Sequence, residues 1–332
     1  MVLGACAAWS LITAGARDGR PEGVLLAVLA VTAGYAAGRI GGALLPVAAP
    51  SAAALAGLVL TVAVPGLGPQ FTAPLGHVGV TAALLALGTG AACAAAWSAQ
   101  RPAARLLLGA LAVVITGTAA VVGSIAGFVA CAGVLLCSLA AGRLPGRGAG
   151  IVALGVTVAM VTGLIWALAG NVLPEGPADA LTGQLTEHRV RLWRDALSLA
   201  RDHAALGVGP GRFGDLGMTV TGTPVPDGKP HSAPLQLAAE QGIVGVVLLG
   251  AGLCWILHAL WRSPRATPVV LTAGAALASV AAIAAFGTAL SFTAVAVGAG
   301  LLAGVATAHP LMEEERPVRR ADVRARGERL TP

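Results

Sequence analysis

The chain has 332 residues, of which 56% are hydrophobic and only 11% charged; soluble domains carry about a quarter of their residues as charges, so a soluble globular class is excluded and an integral membrane protein is indicated. The formal net charge of +6 does not indicate nucleic acid, because the arginines are scattered among short connections and a tail, and Lys229 is the only lysine. Cys6, Cys93, Cys131, Cys137 and Cys254 all lie inside apolar runs with no Cys-x-x-Cys spacing, which argues against a disulfide framework or a zinc site.

A helix needs about 20 apolar residues to cross a bilayer. Breaking the chain at charges, prolines and glycines predicts an all-α, polytopic bundle of about ten spans, near residues 1–16, 23–39, 47–64, 77–99, 104–121, 124–142, 149–170, 235–261, 267–286 and 289–308. The first run lacks a basic leader and a small-residue exit, so it is read as a membrane helix. The turns inside Leu106–Gly142 and around Gly287 are marked only by Gly, Ser and Thr. Arg101 and Arg105, Arg143 and Arg147, Arg262 and Arg265, and the tail after His309 fall on one side by alternation, which the positive-inside rule makes cytoplasmic. Both termini are then expected inside, with the Pro65–Gly76 loop and the long segment 171–233 outside. The connection "RDGRPE", Arg17–Glu22, also falls outside; Asp18 and Glu22 offset its two arginines. The chain divides into N-terminal helices 1–123, a region 124–308 that includes the external loop, and a tail 309–332 expected to be disordered, with interleaved acids diluting any attraction to anionic lipid.

Segment 171–233 is the one long polar stretch between spans. From Thr186, "TEHRVRLWRDALSLARDH" begins with a capping residue and an acid in the first turn. It carries Val190, Trp193, Leu197 and Ala200 along one stripe, with Arg191, Arg194, Ser198 and Arg201 opposite. This pattern predicts an amphipathic helix on the membrane surface. Arg189, four residues before Trp193, lies beside the apolar stripe; it is either a planar anion fork aimed at the protein or a snorkelling side chain. In "ALGVGPGRFGD", Gly209, Gly211 and Gly214 formally match a dinucleotide fingerprint, but no strand precedes them and no helix with a ribose-binding acid follows. A tight turn is the better reading. The turn-rich "TVTGTPVPDGKP" then leads to "HSAPLQLAAEQGIVG", where His231 stands at the lip of a long apolar run. Gln236 and Glu240 follow at a spacing that lets them orient one another or a substrate hydroxyl, or face headgroups as a polar helix entry. His188 and His203 are expected on the surface of the amphipathic helix.

These two stretches, "HRVRLWRDALSLARDHAALGVGPGRFG" and "HSAPLQLAAEQGIVG", resemble the O-antigen ligase family, which also includes O-antigen-type polysaccharide polymerases. The resemblance runs from Ser124 to the last helix and is most specific over 187–245; the earlier spans share only hydropathy. It implies a membrane glycosyltransferase of the GT-C type for surface polysaccharide assembly in the cell envelope. Such an enzyme transfers or polymerises a glycan from an undecaprenyl-diphosphate donor onto the hydroxyl of a glycan or lipid acceptor at the outer face, by inversion and with neither metal nor cofactor. Arg189 would neutralise the leaving diphosphate, with Arg191 and Arg212 as further candidates, because an arginine can engage phosphate bidentately. His231 would take the proton of the acceptor hydroxyl, and Gln236 and Glu240 would hold substrate. Where the family begins a helix with Ser-Arg, this chain has Ser124–Ile125, so a charge on the diphosphate is missing there. A transporter, or a catalytically silent scaffold of a polysaccharide assembly complex, is the alternative; the spans lack the buried acid and histidine relays that ion coupling uses.

Overall fold

The computed structural model describes residues 1–63, 76–143, 146–172, 187–216 and 230–309. Among them all regular structure is helical. Ten apolar helices are α1 (Val2–Arg17), α2 (Glu22–Leu44), α3 (Ala48–Ala63), α4 (Gly76–Ser98), α5 (Pro102–Val121), α6 (Ile125–Ala141), α7 (Arg147–Ala169), α10 (Ala233–Trp261), α11 (Thr267–Phe286) and α12 (Thr293–Thr307). Between α7 and α10 lie α8 (Glu187–Asp202) and the single turn α9 (Phe213–Leu216). Six helices, α2, α4, α5, α7, α10 and α11, are long and apolar enough to cross a membrane; α1, α3, α6 and α12 are apolar but shorter. Most of the Pro65–Gly76 loop, Thr186, much of segment 171–233 and the tail from Pro310 fall outside the described residues.

The two turns marked only by small residues occur where expected. After α5 the chain reverses through Gly123, at φ 76°, and Ser124, whose Oγ accepts the Gly127 N–H at 3.0 Å and caps α6. After α11 the reversal at Gly287 leads into a 3₁₀ turn, Ala289–Ser291, so α12 starts at Thr293, four residues later than the expected 289.

Small residues set the packing. The α4 helix is almost wholly enclosed by α3, α5, α6 and α11, with Ala82, Ala83, Ala86, Ala92 and Ala95 fully buried. Lipid gives little hydrophobic reason for helices to associate, so close backbone approach supplies the dispersion energy. The contact between α2 and α12 is closest. A Cβ on Gly34 or Gly38 would strike the carbonyls of Val297 or Leu301, and one on Gly300 or Gly304 would strike those of Val31 or Tyr35. Hydroxyls inside these helices return their hydrogen bonds to the preceding turn, as Thr89 does to Leu85 O at 2.9 Å and Thr116 to Ala112 O at 2.9 Å, which satisfies them without water. One core cluster draws on helices from both sides of residue 123, so 1–123 and 124–308 pack together.

Arg147 and Arg265, from two of the predicted arginine clusters, meet at one end; the arginines of the tail lie outside the described residues. Arg147 Nη1 donates to Ser263 O, Ser263 Oγ to Ala306 O at 2.7 Å, and Arg265 Nε to Ala308 O at 3.0 Å. Arg265 Nη2 also reaches Gly42 O, so one buried guanidinium caps the carboxyl ends of both α2 and α12. At the opposite end a second core cluster joins Ile165, Leu168 and Ala169 of α7 to Leu192, Trp193, Ala196 and Leu197 of α8, Phe213, Leu235 and Ala239 of α10, and Ala285 of α11. That cluster positions the site.

Candidate active site

The periodicity that predicts α8 is observed, but its apolar stripe meets protein instead of lying on lipid. Val190, Trp193 and Leu197 are buried, and the start of α10 covers them. The reason is that α10 offers an apolar face, Leu235 and Ala239, at the same end of the bundle. Arg189 falls on the covered stripe and is half-buried, whereas Arg191, Arg194, Ser198 and Arg201 are exposed on the other side. Arg189 is therefore on the side of α8 that packs on the protein, and Arg191 on the exposed side.

The α10 helix is not one straight membrane span. Gly242 adopts φ 70°, ψ −164° inside it and divides a half-helix, 233–241, from the longer apolar run, 243–261. An uninterrupted helix would bond Ile243 N–H to Ala239 O. Here Ile243 N–H donates instead to Ala204 O at 2.9 Å, and Ala239 O accepts the Val208 N–H at 2.9 Å. Glu240 O accepts the Gly209 N–H at 2.9 Å, and Gln241 O accepts the Trp9 indole N–H at 3.1 Å. A buried break is tolerable only when its backbone groups are paired in this way. Glycine is required on both sides of the joint. A Cβ on Gly242 would lie 2.5 Å from Ala204 O, and one on Gly207, at φ 66°, would strike the Glu240 carbonyl. The turn read from "GVGPG" is thus a docking surface for the break at Gly242.

His231 precedes the half-helix. It is buried, 7% exposed, with φ 48°, a left-handed conformation that non-glycine residues seldom adopt. The expectation of a histidine at the lip of a membrane helix is refined: nine residues of half-helix separate it from the longer run. Ser232 follows, fully buried; its Oγ makes no cap to the half-helix and has no hydrogen-bond partner among the described residues. One turn on, Gln236 Nε2 donates to Glu240 Oε1 at 3.3 Å, so the expected pairing is observed. Glu240 is only 3% exposed, deeper than its place near the mouth suggested. Buried carboxylates need compensation by hydrogen bonds, which makes this pair costly to keep unless it does chemistry or orders the site. Arg212 sits in the turn, where its Nη1 donates to Arg17 O at 2.7 Å, closing the carboxyl end of α1.

Three further groups at this end were not among the candidate site residues of the sequence. Trp193 Nε1, His203 Nδ1 and Gln241 Nε2 are buried and lack hydrogen-bond partners among the described residues. His203, expected on the surface, is half-buried. Orphaned buried polar atoms are uncommon in native proteins and their concentration here fits a place that receives a polar ligand or ordered water. A separate apolar cavity of about 540 Å³ lies between α7, α8 and α10, lined by Trp166, Leu197, Ala238, Ile243 and Val247 with Arg201 at its edge. It touches neither His231 nor the Gln236–Glu240 pair. Among the described residues no three His, Cys, Asp or Glu side chains converge as metal ligands do.

A family model described as O-antigen ligase matches residues 77–250, just over half of the chain, including Arg189, Arg212, His231, Gln236 and Glu240. A solved structure described as "Structural coordination of polymerization and crosslinking by a peptidoglycan synthase complex" is similar at a TM-score of 0.42 and 19% identity, covering 92% of this chain and 95% of that one. No curated protein matches the chain.

Proposed function

Since the chain belongs to the O-antigen ligase family, we propose that it is a membrane glycosyltransferase that transfers or polymerises a glycan from an undecaprenyl-diphosphate donor onto an acceptor hydroxyl. The α8 end faces the outside of the cell membrane in this reading, and both termini face the cytoplasm. The observation that carries it is the conformation of His231: a buried histidine with left-handed backbone, set against the amino end of a half-helix that bears Gln236 and Glu240. Strain of this kind persists only where the surroundings enforce it, and it concentrates at active sites.

The chemistry proceeds by displacement at the sugar carbon. His231 accepts the proton of the attacking hydroxyl, and the bond to the diphosphate oxygen breaks with inversion. Charge builds on the leaving diphosphate. Arg189, on the side of α8 that packs on the protein, meets that charge, and the amino end of the half-helix adds its dipole. The Gln236–Glu240 pair orients the acceptor. Arg212 contributes by holding the turn, since one of its nitrogens is committed to Arg17 O. Ile125 starts α6, which packs chiefly on α4, α5 and α11, and its side chain is 82% exposed. The diphosphate charge in this chain is therefore assigned to α8 and not to α6. A lipid-linked donor, a glycan or lipid acceptor and the surrounding membrane lipids complete the set of partners.

The test is transfer by the purified protein from a synthetic undecaprenyl-diphosphate oligosaccharide, with host membrane extract as acceptor. Undecaprenyl diphosphate is released by the wild type, and His231→Ala lowers the rate by about 10²–10⁴-fold, the usual worth of a general base. Release that is unchanged in His231→Ala would remove the histidine from the mechanism. Uptake of a solute into vesicles without any lipid-linked glycan would point to a transporter instead.

A further inference from the structure

We propose that α1 is a working part of this site and that Trp9 is its positioning residue, holding the half-helix that carries Glu240. Neither lies within the matched residues 77–250. Three hydrogen bonds tie this early segment to the joint. The Trp9 indole N–H donates to Gln241 O at 3.1 Å, the Arg20 N–H to Pro210 O at 2.7 Å, and Arg212 Nη1 to Arg17 O at 2.7 Å. One of them grips the break in α10 and two grip the glycine turn that docks on it. Packing alone does not explain this choice. A membrane helix can dock through small apolar residues, as α2 and α12 do, whereas α1, which packs on α10, carries fully buried Ser10 and Thr13, and Gln241 at the break is buried as well. Ser10 Oγ on α1 and Gln241 Nε2 on α10 have no hydrogen-bond partner among the described residues, so both helices keep buried polar groups at a cost.

The mechanical consequence follows from Gly242. Its backbone has few intrinsic restraints, so the half-helix 233–241 is free to swing about it unless its carbonyls are held. His231, Gln236 and Glu240 all ride on or beside that half-helix. Restraints come from the packing of Leu235 and Ala239 on α8, from the 204–209 turn and from Trp9. With the indole N–H removed, the half-helix keeps its fold and its packing on α8 and loses the restraint on the carbonyl beside its hinge. The catalytic arm of this inference rests on the glycosyltransferase reading; its structural arm does not.

The experiment uses the full chain in nanodiscs and two substitutions that separate the donor from the bulk. Trp9→Phe keeps the ring and loses the N–H. Trp9→Gln loses the ring and keeps a donor. Hydrogen exchange of the Val208, Gly209 and Ile243 amides is expected to quicken about tenfold in Trp9→Phe, while α4 and α11 exchange as in the wild type. In the transfer assay Trp9→Phe lowers kcat about tenfold with little change in the KM for the donor, and Trp9→Gln recovers much of the loss. Wild-type exchange at those three amides in Trp9→Phe overturns the proposal, and so does a Trp9→Gln protein that is worse than Trp9→Phe, since bulk would then be what matters. Global unfolding of Trp9→Phe also overturns it, by making Trp9 a structural residue. If the wild type itself shows no transfer, the glycosyltransferase reading fails and the exchange result still decides the clamp.

Discussion

The bundle around α4 and the α8 end are built on opposite plans. In the bundle, side chains are small, hydroxyls such as those of Thr89 and Thr116 bond within their own helices, and backbones touch. At the α8 end, segments far apart in sequence exchange hydrogen bonds through Trp9, Arg20, Ala204, Val208, Gly209 and Arg212. All three described non-glycine residues with positive φ, Asp18, Asn171 and His231, lie at that end, each at or beside a helix terminus there. Among the buried polar atoms that have no partner among the described residues, Thr272 Oγ1 belongs to the bundle, whereas those of Trp193, His203, Ser232 and Gln241 belong to the α8 end. One region is optimised for packing; the other keeps strain and unsatisfied polarity, which stable proteins tolerate where they work.

That contrast can be broken by single changes. The largest effect is expected from His231→Ala, which removes transfer while leaving thermal unfolding in detergent close to wild type; a large fall in stability would show that the strained histidine serves the fold. Next comes Gly38→Leu, aimed at the α2–α12 seam, where the added side chain meets the Leu301 backbone. It should cost about 3 kcal/mol of stability, measured by thermal unfolding, and leave transfer per folded molecule unchanged. Gly207→Ala is smaller and local: forcing a Cβ against the Glu240 carbonyl should cost about 2 kcal/mol and speed exchange of the Val208 and Gly209 amides roughly thirtyfold without altering α4. Gln236→Ala, which removes one hydrogen bond to a buried carboxylate, should lower transfer by several-fold, about 1 kcal/mol, and shift unfolding little. If Gly38→Leu abolished transfer, or if Gly207→Ala melted the bundle, the two regions would not be separable.

Local patterns explain which parts were legible in the sequence. Apolar runs between charges located the ten apolar helices, and a 3.6-residue stripe located α8, because both signals need only near neighbours. The i, i+4 spacing likewise disclosed the Gln236–Glu240 pair. Gly242 was hidden. In a chain with 46 glycines, one more inside an apolar run carries no mark, and what opens the helix there is Ala204, Val208 and Gly209 arriving from another segment. Trp9 was hidden for the same reason, since it meets Gln241 across 232 residues of chain. The stripe of α8 was visible but not its cover, because amphipathicity is the same toward lipid and toward a neighbouring helix. The left-handed backbone of His231 had no sequence signal at all, as nothing in "KPHSA" calls for positive φ.

The glycine seam between α2 and α12 has a consequence for how the molecule is made. The α2 helix leaves the ribosome more than 250 residues before α12 does, and at about 5–20 residues per second that interval is roughly 10–50 s. During it the close-packed face of α2 has no mate, and α1 is attached to a helix not yet seated. Final assembly therefore waits on α12, so a nascent chain stalled before Thr293 holds its earlier helices without the seam that seats α2.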